Sequence, residues 1–293
     1  MDFNWKIMAK RIFVLGEEWV FLKIYVGPGT ADLLISSHIG PFATAIVDEG
    51  LISRWFFVRY HDAQGFHVRI RFKLVDLRFL SDILIRVRDL FKPLVQQRLI
   101  HSLVYDTYTR ELERYGASCY DLMEECFYED SRCASSIITL INQYDDLSLR
   151  WKSAIALIDD ILEARGLTME EKKTLITSCR NAFREELRVT SPAQIRVFDR
   201  KFRENRKAIT ESVLKISFPE EMIQIIDRRR VSLHNILSRI LAGGAPVNTA
   251  SLVHMTCNRL FAGYSRLCEL TLYEYLSRHY ESLLAQEKYY KKS

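Results

Sequence analysis

No apolar run in this 293-residue chain reaches the length of a membrane span. The N-terminus MDFNWKIMAKR passes directly into amphipathic sequence, without a signal-peptide core or cleavage site. On sequence grounds a membrane-spanning or secreted protein is excluded and a cytoplasmic one expected. Paired cysteines are missing too: Cys119, Cys126, Cys133, Cys179, Cys257 and Cys268 include no CxxC, and a reducing cytosol would keep them as thiols. Cys119, Cys126 and Cys133 recur every seventh residue, a packing seam on a helix, since structural zinc sites use tighter spacing. There is no dinucleotide fingerprint and no phosphate loop, so neither a cofactor nor a metal is expected. Charge of one sign is scarce: 42 Lys and Arg stand against 37 Asp and Glu, and +5 without a concentrated patch gives no reason to expect nucleic acid as a direct partner. Repeats, low-complexity tracts and long linkers are absent, so residues 1–293 are read as a single domain.

What is present is an ordinary globular composition, 48% hydrophobic and 27% charged, able to bury a sizeable core. Strand-like runs at 19–26, 54–60, 66–74 and 103–108 alternate with helical stretches near 30–49 and 76–100. Pro41 predicts a kink or break in the first of these helices, which Gly50 can close. From about residue 117 the pattern is nearly all helix, near 117–143, 149–164, 168–188, 192–215, 219–242, 247–263 and 265–287. Gly166, Gly243, Gly244 and Pro246 supply turn signals. The fold class is α+β: a small antiparallel sheet in the N-terminal third and a mostly helical remainder.

Three stretches carry chemistry. GFHVRIRFKL (65–74), read at strand period, puts Phe66, Val68, Ile70, Phe72 and Leu74 on one face and His67, Arg69, Arg71 and Lys73 on the other. A solvated strand face explains such alternation, and so does a cradle for anions. YDTYTRELERYG (105–116) crowds Tyr105, Tyr108, Tyr115, Arg110, Arg114, Glu111 and Glu113 into the exit from a strand. SLVHMTCNRLF (251–261) reads as a helix with His254 and Asn258 one turn apart on a shared face, suited either to packing or to proton transfer.

Taken together, RWFFVRYHDAQGFHVRIRF, YDTYTRELERYG and HMTCNR resemble the C-terminal elimination domain of class I lanthipeptide dehydratases, from about Trp19 to the C-terminus. That domain also occurs as a separate protein in split dehydratases and thiopeptide pathways, and with no glutamylation domain ahead of it in this sequence the expectation is the free-standing half. The resemblance implies a lyase that eliminates glutamate from glutamylated Ser or Thr of a ribosomal precursor peptide, giving dehydroalanine or dehydrobutyrine. Its partners would be that peptide and a separate glutamylating subunit, and a homodimer stays open. Carried over by motif, the catalytic set is Arg71, Arg114, Glu111 and His254, with Arg69 essential as a binder of the glutamyl group. Arg59, His67 and Asn258 are further candidate binders, and Asn258 or Ser251 would fix the tautomer of His254. On this reading His254 comes close to Arg71 and Arg114. Two rival functions are a synthase joining two dehydroalanines into a pyridine-type heterocycle, and a non-catalytic subunit that holds the peptide.

Overall fold

The computed structural model describes residues 9–290. Strands β1 (Ile12–Phe13) and β2 (Trp19–Tyr25) are followed by helix α1 (Pro28–Leu34), a π-helical turn (Ile35–Ile39) and helix α2 (Gly40–Asp48). The hairpin β3 (Ile52–Asp62) and β4 (Gly65–Leu74) comes next, then α3 (Leu80–Gln96), β5 (Ser102–Tyr105), β6 (Tyr108–Thr109) and the one-turn α4 (Leu112–Tyr115). The rest is helical: α5 (Tyr120–Tyr144), α6 (Ser148–Ala164), α7 (Met169–Glu186), α8 (Pro192–Val213), α9 (Glu220–Ala242), α10 (Thr249–Leu260) and α11 (Ser265–Tyr290). The chain is thus α+β, as its periodicities predict.

The residues gather into two compact units, Met1–Ser136 with Asn235–Asn248, and Ile137–His234 with Thr249–Ser293. Of the three boundaries, one falls inside α5 and one inside α9, where no linker composition marks them in the sequence; the third, between Asn248 and Thr249, lies where α10 begins, just after the Gly243, Gly244 and Pro246 turn signals.

In the first unit β3, β4, β2 and β5 form an antiparallel sheet in that order. Its apolar face buries Val20, Leu22, Ile24, Phe57, Val68, Ile70 and Phe72 completely. Helices α1 and α2 lie against β4 and β3, with Phe42 edge-on to Phe72 at 5.9 Å. The expected strand at 103–108 is split. The Asp106 carboxylate accepts from the Thr107 backbone and pairs with Lys23 at 2.5 Å, turning the chain so that β6 joins β1 instead of the main sheet. Strand β1 has no counterpart in the sequence reading.

The expected helix at 30–49 is the α1–π–α2 segment. The helix runs on without a break from Pro28 to Asp48, and its wide π turn at Ile35–Ile39 lies just ahead of Pro41, whose ring would crowd a regular preceding turn and has no N–H to donate to it. This segment corrects one expectation: Pro28–Asp48, 21 residues of mean hydropathy 1.2, is long and apolar enough to cross a membrane by length and composition. Its apolarity has a local use, because Ala31, Leu34, Ile35, Ile39, Ala43 and Ile46 are buried in this unit.

The second unit is built on α6, which is buried on every side from Ser153 to Leu162 and packs against α8, α10 and α11. Its two buried aspartates are paired, Asp159 with Lys172 at 3.0 Å and Asp160 with Lys215 at 2.6 Å. Helices α7 and α8 begin at capping boxes, Thr168–Glu171 and Ser191–Gln194, which satisfy the otherwise orphaned first N–H groups.

Candidate active site

Strand register lays out the first unit's cationic face. Opposite Arg71 on β4 stand Phe21 of β2 and Phe56 of β3, opposite Lys73 stand Trp19 and Arg54, and opposite His67 stand Tyr25 and Tyr60. Lys23 and Val58 flank Arg69. The face is not a solvated one: His67 is fully buried, and Arg69, Arg71 and Lys73 are half-buried.

Aromatic rings do the covering. The Arg71 guanidinium lies 4.3 Å from the Phe21 ring centroid, 4.9 Å from Tyr108 and 5.2 Å from Phe56, and Arg69 stacks 3.5 Å over Tyr60. Such contacts attract a cation to the ring quadrupole without consuming its N–H donors. Arg71 Nε is buried and has no hydrogen-bond partner among the described residues. Burial pulls the Arg71 pKa down, while Tyr108, Tyr120 and Glu111 act against that pull, so it stays a cation in a site short of anions.

His67 serves its neighbour. Its Nδ1 lies 3.1 Å from the Gly65 carbonyl, and its Nε2 accepts from Arg69 Nε at 3.0 Å, which makes it a neutral ring carrying its proton on Nδ1. Burial depresses its pKa accordingly. Arg69 is thereby aimed, with its terminal nitrogens unengaged by any described residue.

Arg59 leaves the group. It pairs with Val68, so strand parity puts it on the opposite, apolar face, 3% exposed and bound to Asp32 at 2.6 Å. A substrate-binding role beside Arg69 is incompatible with that placement.

The loop after β6 is held from below. Arg110 grips the buried Glu124 through Nε at 2.8 Å and Nη2 at 2.7 Å, reaches Asp121 at 2.6 Å, and Tyr108 donates to the same Glu124 at 2.9 Å. Burial alone would lower the Arg110 pKa; the Glu124 contacts outweigh it and the pair is ionic. On this base Glu111 opens α4, its backbone N–H donating to the Tyr120 hydroxyl at 3.0 Å, and its carboxylate takes Arg114 Nη1 at 3.2 Å. Gly116 closes the turn at φ +84°, where a Cβ would also stand 3.1 Å from Cys119 Sγ. Arg110 stands out in the sequence, but Glu124 does not, because its carboxylate is hidden in the buried stripe of α5.

His254 belongs to the second unit, on α10. Its Nδ1 lies 2.9 Å from Glu269 Oε2 of α11, and the Tyr273 hydroxyl donates to Glu269 Oε1 at 2.6 Å. Glu269 therefore stands where the sequence reading puts Ser251 or Asn258. Asn258, one turn after His254, is half-buried. Burial, followed by the charge of Glu269, pushes the nearby Cys179 thiol up to about 11, so it stays protonated. Among the described residues no three His, Cys, Asp or Glu side chains gather as metal ligands would.

Comparison with known proteins adds the family. The family described as lantibiotic biosynthesis dehydratase C-term matches residues 19–280. The subtilin biosynthesis protein SpaB of Bacillus subtilis is 28% identical over 264 residues, covering 86% of this chain but only 24% of SpaB. Among solved structures, the tRNA-dependent lantibiotic dehydratase MibB from Microbispora sp. aligns with a TM-score of 0.70 and 20% identity over 94% of this chain and 29% of MibB. TsrL gives 0.63 and 16%, covering 90% of this chain and 95% of TsrL. The pyridine synthase TbtD from thiomuracin biosynthesis gives 0.58 and 15%, covering 91% of this chain and 98% of TbtD. The chain spans about a quarter of SpaB, and the likeness to the solved structures is one of fold.

Proposed function

The chain belongs to the lantibiotic biosynthesis dehydratase C-terminal family, and from that premise we propose that it is a lyase eliminating glutamate from glutamylated Ser or Thr of a precursor peptide. The observation that carries the reading is Arg71: a cation jacketed by aromatic rings, its Nε buried and unpartnered, beside the Glu111–Arg114 pair. A guanidinium Nε shut away from water without an acceptor is costly, and a glutamyl carboxylate is an anion whose geometry matches the planar fork.

A proton leaves the peptide α-carbon for His254, the C–H electron pair becomes the Cα=Cβ bond, and the Cβ–O bond breaks to release glutamate as a carboxylate. Enolate-like charge gathers on the adjacent carbonyl, where arginines stabilise it, and Arg69 and Arg114 complete the cradle for the leaving group. Glu111 orients Arg114. No organic cofactor or metal enters this scheme. The glutamylated peptide would come from a separate glutamylating partner, and the free thiols suit a cytoplasmic setting.

One rival is favoured by an observation of its own: the chain covers nearly all of a pyridine synthase of the same fold. Against it, joining two dehydroalanines has no glutamate to bind or expel, and the arginine set would lack a purpose. A non-catalytic peptide-holding subunit would have no use for the imidazole.

Mass spectrometry of a synthetic glutamylated peptide incubated with the purified protein separates these outcomes as elimination, ring closure or no change. In the same assay His254→Ala is expected to bind the peptide at near wild-type affinity but retain the glutamyl adduct. Arg71→Ala should lose on the order of 3 kcal/mol of transition-state stabilisation, and Arg71→Lys should restore little, because an ammonium has no planar fork. Unchanged turnover in Arg71→Ala would remove this residue from the mechanism.

A further inference from the structure

His254 is only one member of a three-residue chain. Glu269 is 1% exposed and Tyr273 is 1% exposed, whereas the His254 side chain keeps 30% of its surface. The imidazole thus runs from a buried carboxylate toward an accessible edge. A carboxylate this deep needs donors, and Glu269 has one on each oxygen: Tyr273 on Oε1 at 2.6 Å and the His254 ring on Oε2 at 2.9 Å. Glu269 and Tyr273 are one turn apart on α11, so the helix fixes their spacing, while α10 packs against α11 and brings the ring to them. An ionised carboxylate only accepts, so the atom facing it must carry the proton.

We infer that Glu269, braced by Tyr273, is a positioning residue that holds His254 in its Nδ1–H tautomer and leaves Nε2 as the proton-transfer atom. The inference rests on the reading that His254 moves the α-proton. Nε2 has no hydrogen-bond partner among the described residues, which leaves its lone pair available. When Nε2 takes a proton the ring becomes a cation, and the carboxylate already in contact with Nδ1 stabilises it without rearrangement. Tyr273 has a separate task. It occupies the oxygen that would otherwise let the carboxylate rotate away from the ring, and its hydroxyl remains a donor because burial and the charge of Glu269 keep it from ionising.

The test combines a tautomer measurement with kinetics on the full chain. Protein labelled with 15N-histidine is examined by long-range 1H–15N correlation, with His254→Ala identifying the ring, and Glu269→Gln, Glu269→Asp and Tyr273→Phe are assayed on a glutamylated peptide. Expected are an Nδ1–H signature for neutral His254, and a kcat lower by about 100-fold or more in Glu269→Gln with KM near wild type. Partial recovery is expected in Glu269→Asp, and a smaller kcat loss in Tyr273→Phe, whose packing is nearly unchanged. Thermal melting of each variant separates loss of fold from loss of positioning. An Nε2–H signature, or wild-type kcat in Glu269→Gln beside an inactive His254→Ala, overturns the inference alone. Full activity in His254→Ala overturns the histidine reading and this inference with it.

Discussion

His67 shows how one residue's charge is decided by the fold. It is fully buried, lies 4.7 Å from the Tyr25 ring and 5.6 Å from Tyr60, and accepts from Arg69. The charged groups around it are Arg69, Asp62 and Lys23, and burial dominates, depressing its pKa. A depressed folded pKa means the unfolded chain binds the proton more tightly. Its contribution to stability is present above the ordinary histidine value of roughly 6.5 and is lost as pH falls from there through the folded value. Urea midpoints should therefore drop between pH 7 and pH 5, and His67→Gln should flatten part of that slope. His279, buried and shifted in the same direction, accounts for a further share. An identical slope in the variant would show that His67 is not held neutral. At this scale the sequence is informative where partners are near in the chain: strand parity alone groups Arg69, Arg71 and His67, and a three-residue spacing joins Glu111 to Arg114. It is silent on Glu124 and Glu269, because nothing local distinguishes a buried carboxylate from the exposed ones until tertiary packing chooses its partner.

Among elements, the helices are the most legible, since turn residues punctuate them, and Gly166 stands where α6 ends; the caps Thr168 and Ser191, where α7 and α8 begin, emerge only from the structure. The two-residue ladder β1–β6 is not legible, because a pair of residues carries no periodicity. The π turn is legible only as a disturbance at Pro41. Its neighbour Gly40 has a stricter requirement: a Cβ there would lie 2.2 Å from Ser135 Oγ, so α2 and α5 touch through a missing side chain. Gly40→Ala should cost about 1–3 kcal/mol of stability in chemical denaturation, as overpacking does. Ser135→Ala, which removes the nearest atom, should return part of that loss in the double variant. Additive effects of the two changes would mean that the contact does not set the cost.

For the whole molecule, the sequence offered one uninterrupted stretch and the structure offers two units whose segments alternate along the chain. The cationic unit needs Asn235–Asn248 as well as its N-terminal portion: Leu237 and Ile240 are buried, and Arg239 pairs with Glu125 at 3.2 Å. Residues 1–136 expressed alone should consequently show a broader, less cooperative urea transition than the same unit shows within the full chain. A sharp transition in the fragment would mean that the returning segment is dispensable. The same alternation bears on descent. A single crossover between genes cannot exchange the cationic unit for another and leave the histidine-bearing unit whole, since each is written in two places with part of the other between them. Arg71 and His254 are in this sense a linked inheritance, and variation in one unit has to be accommodated by the other from within the same reading frame.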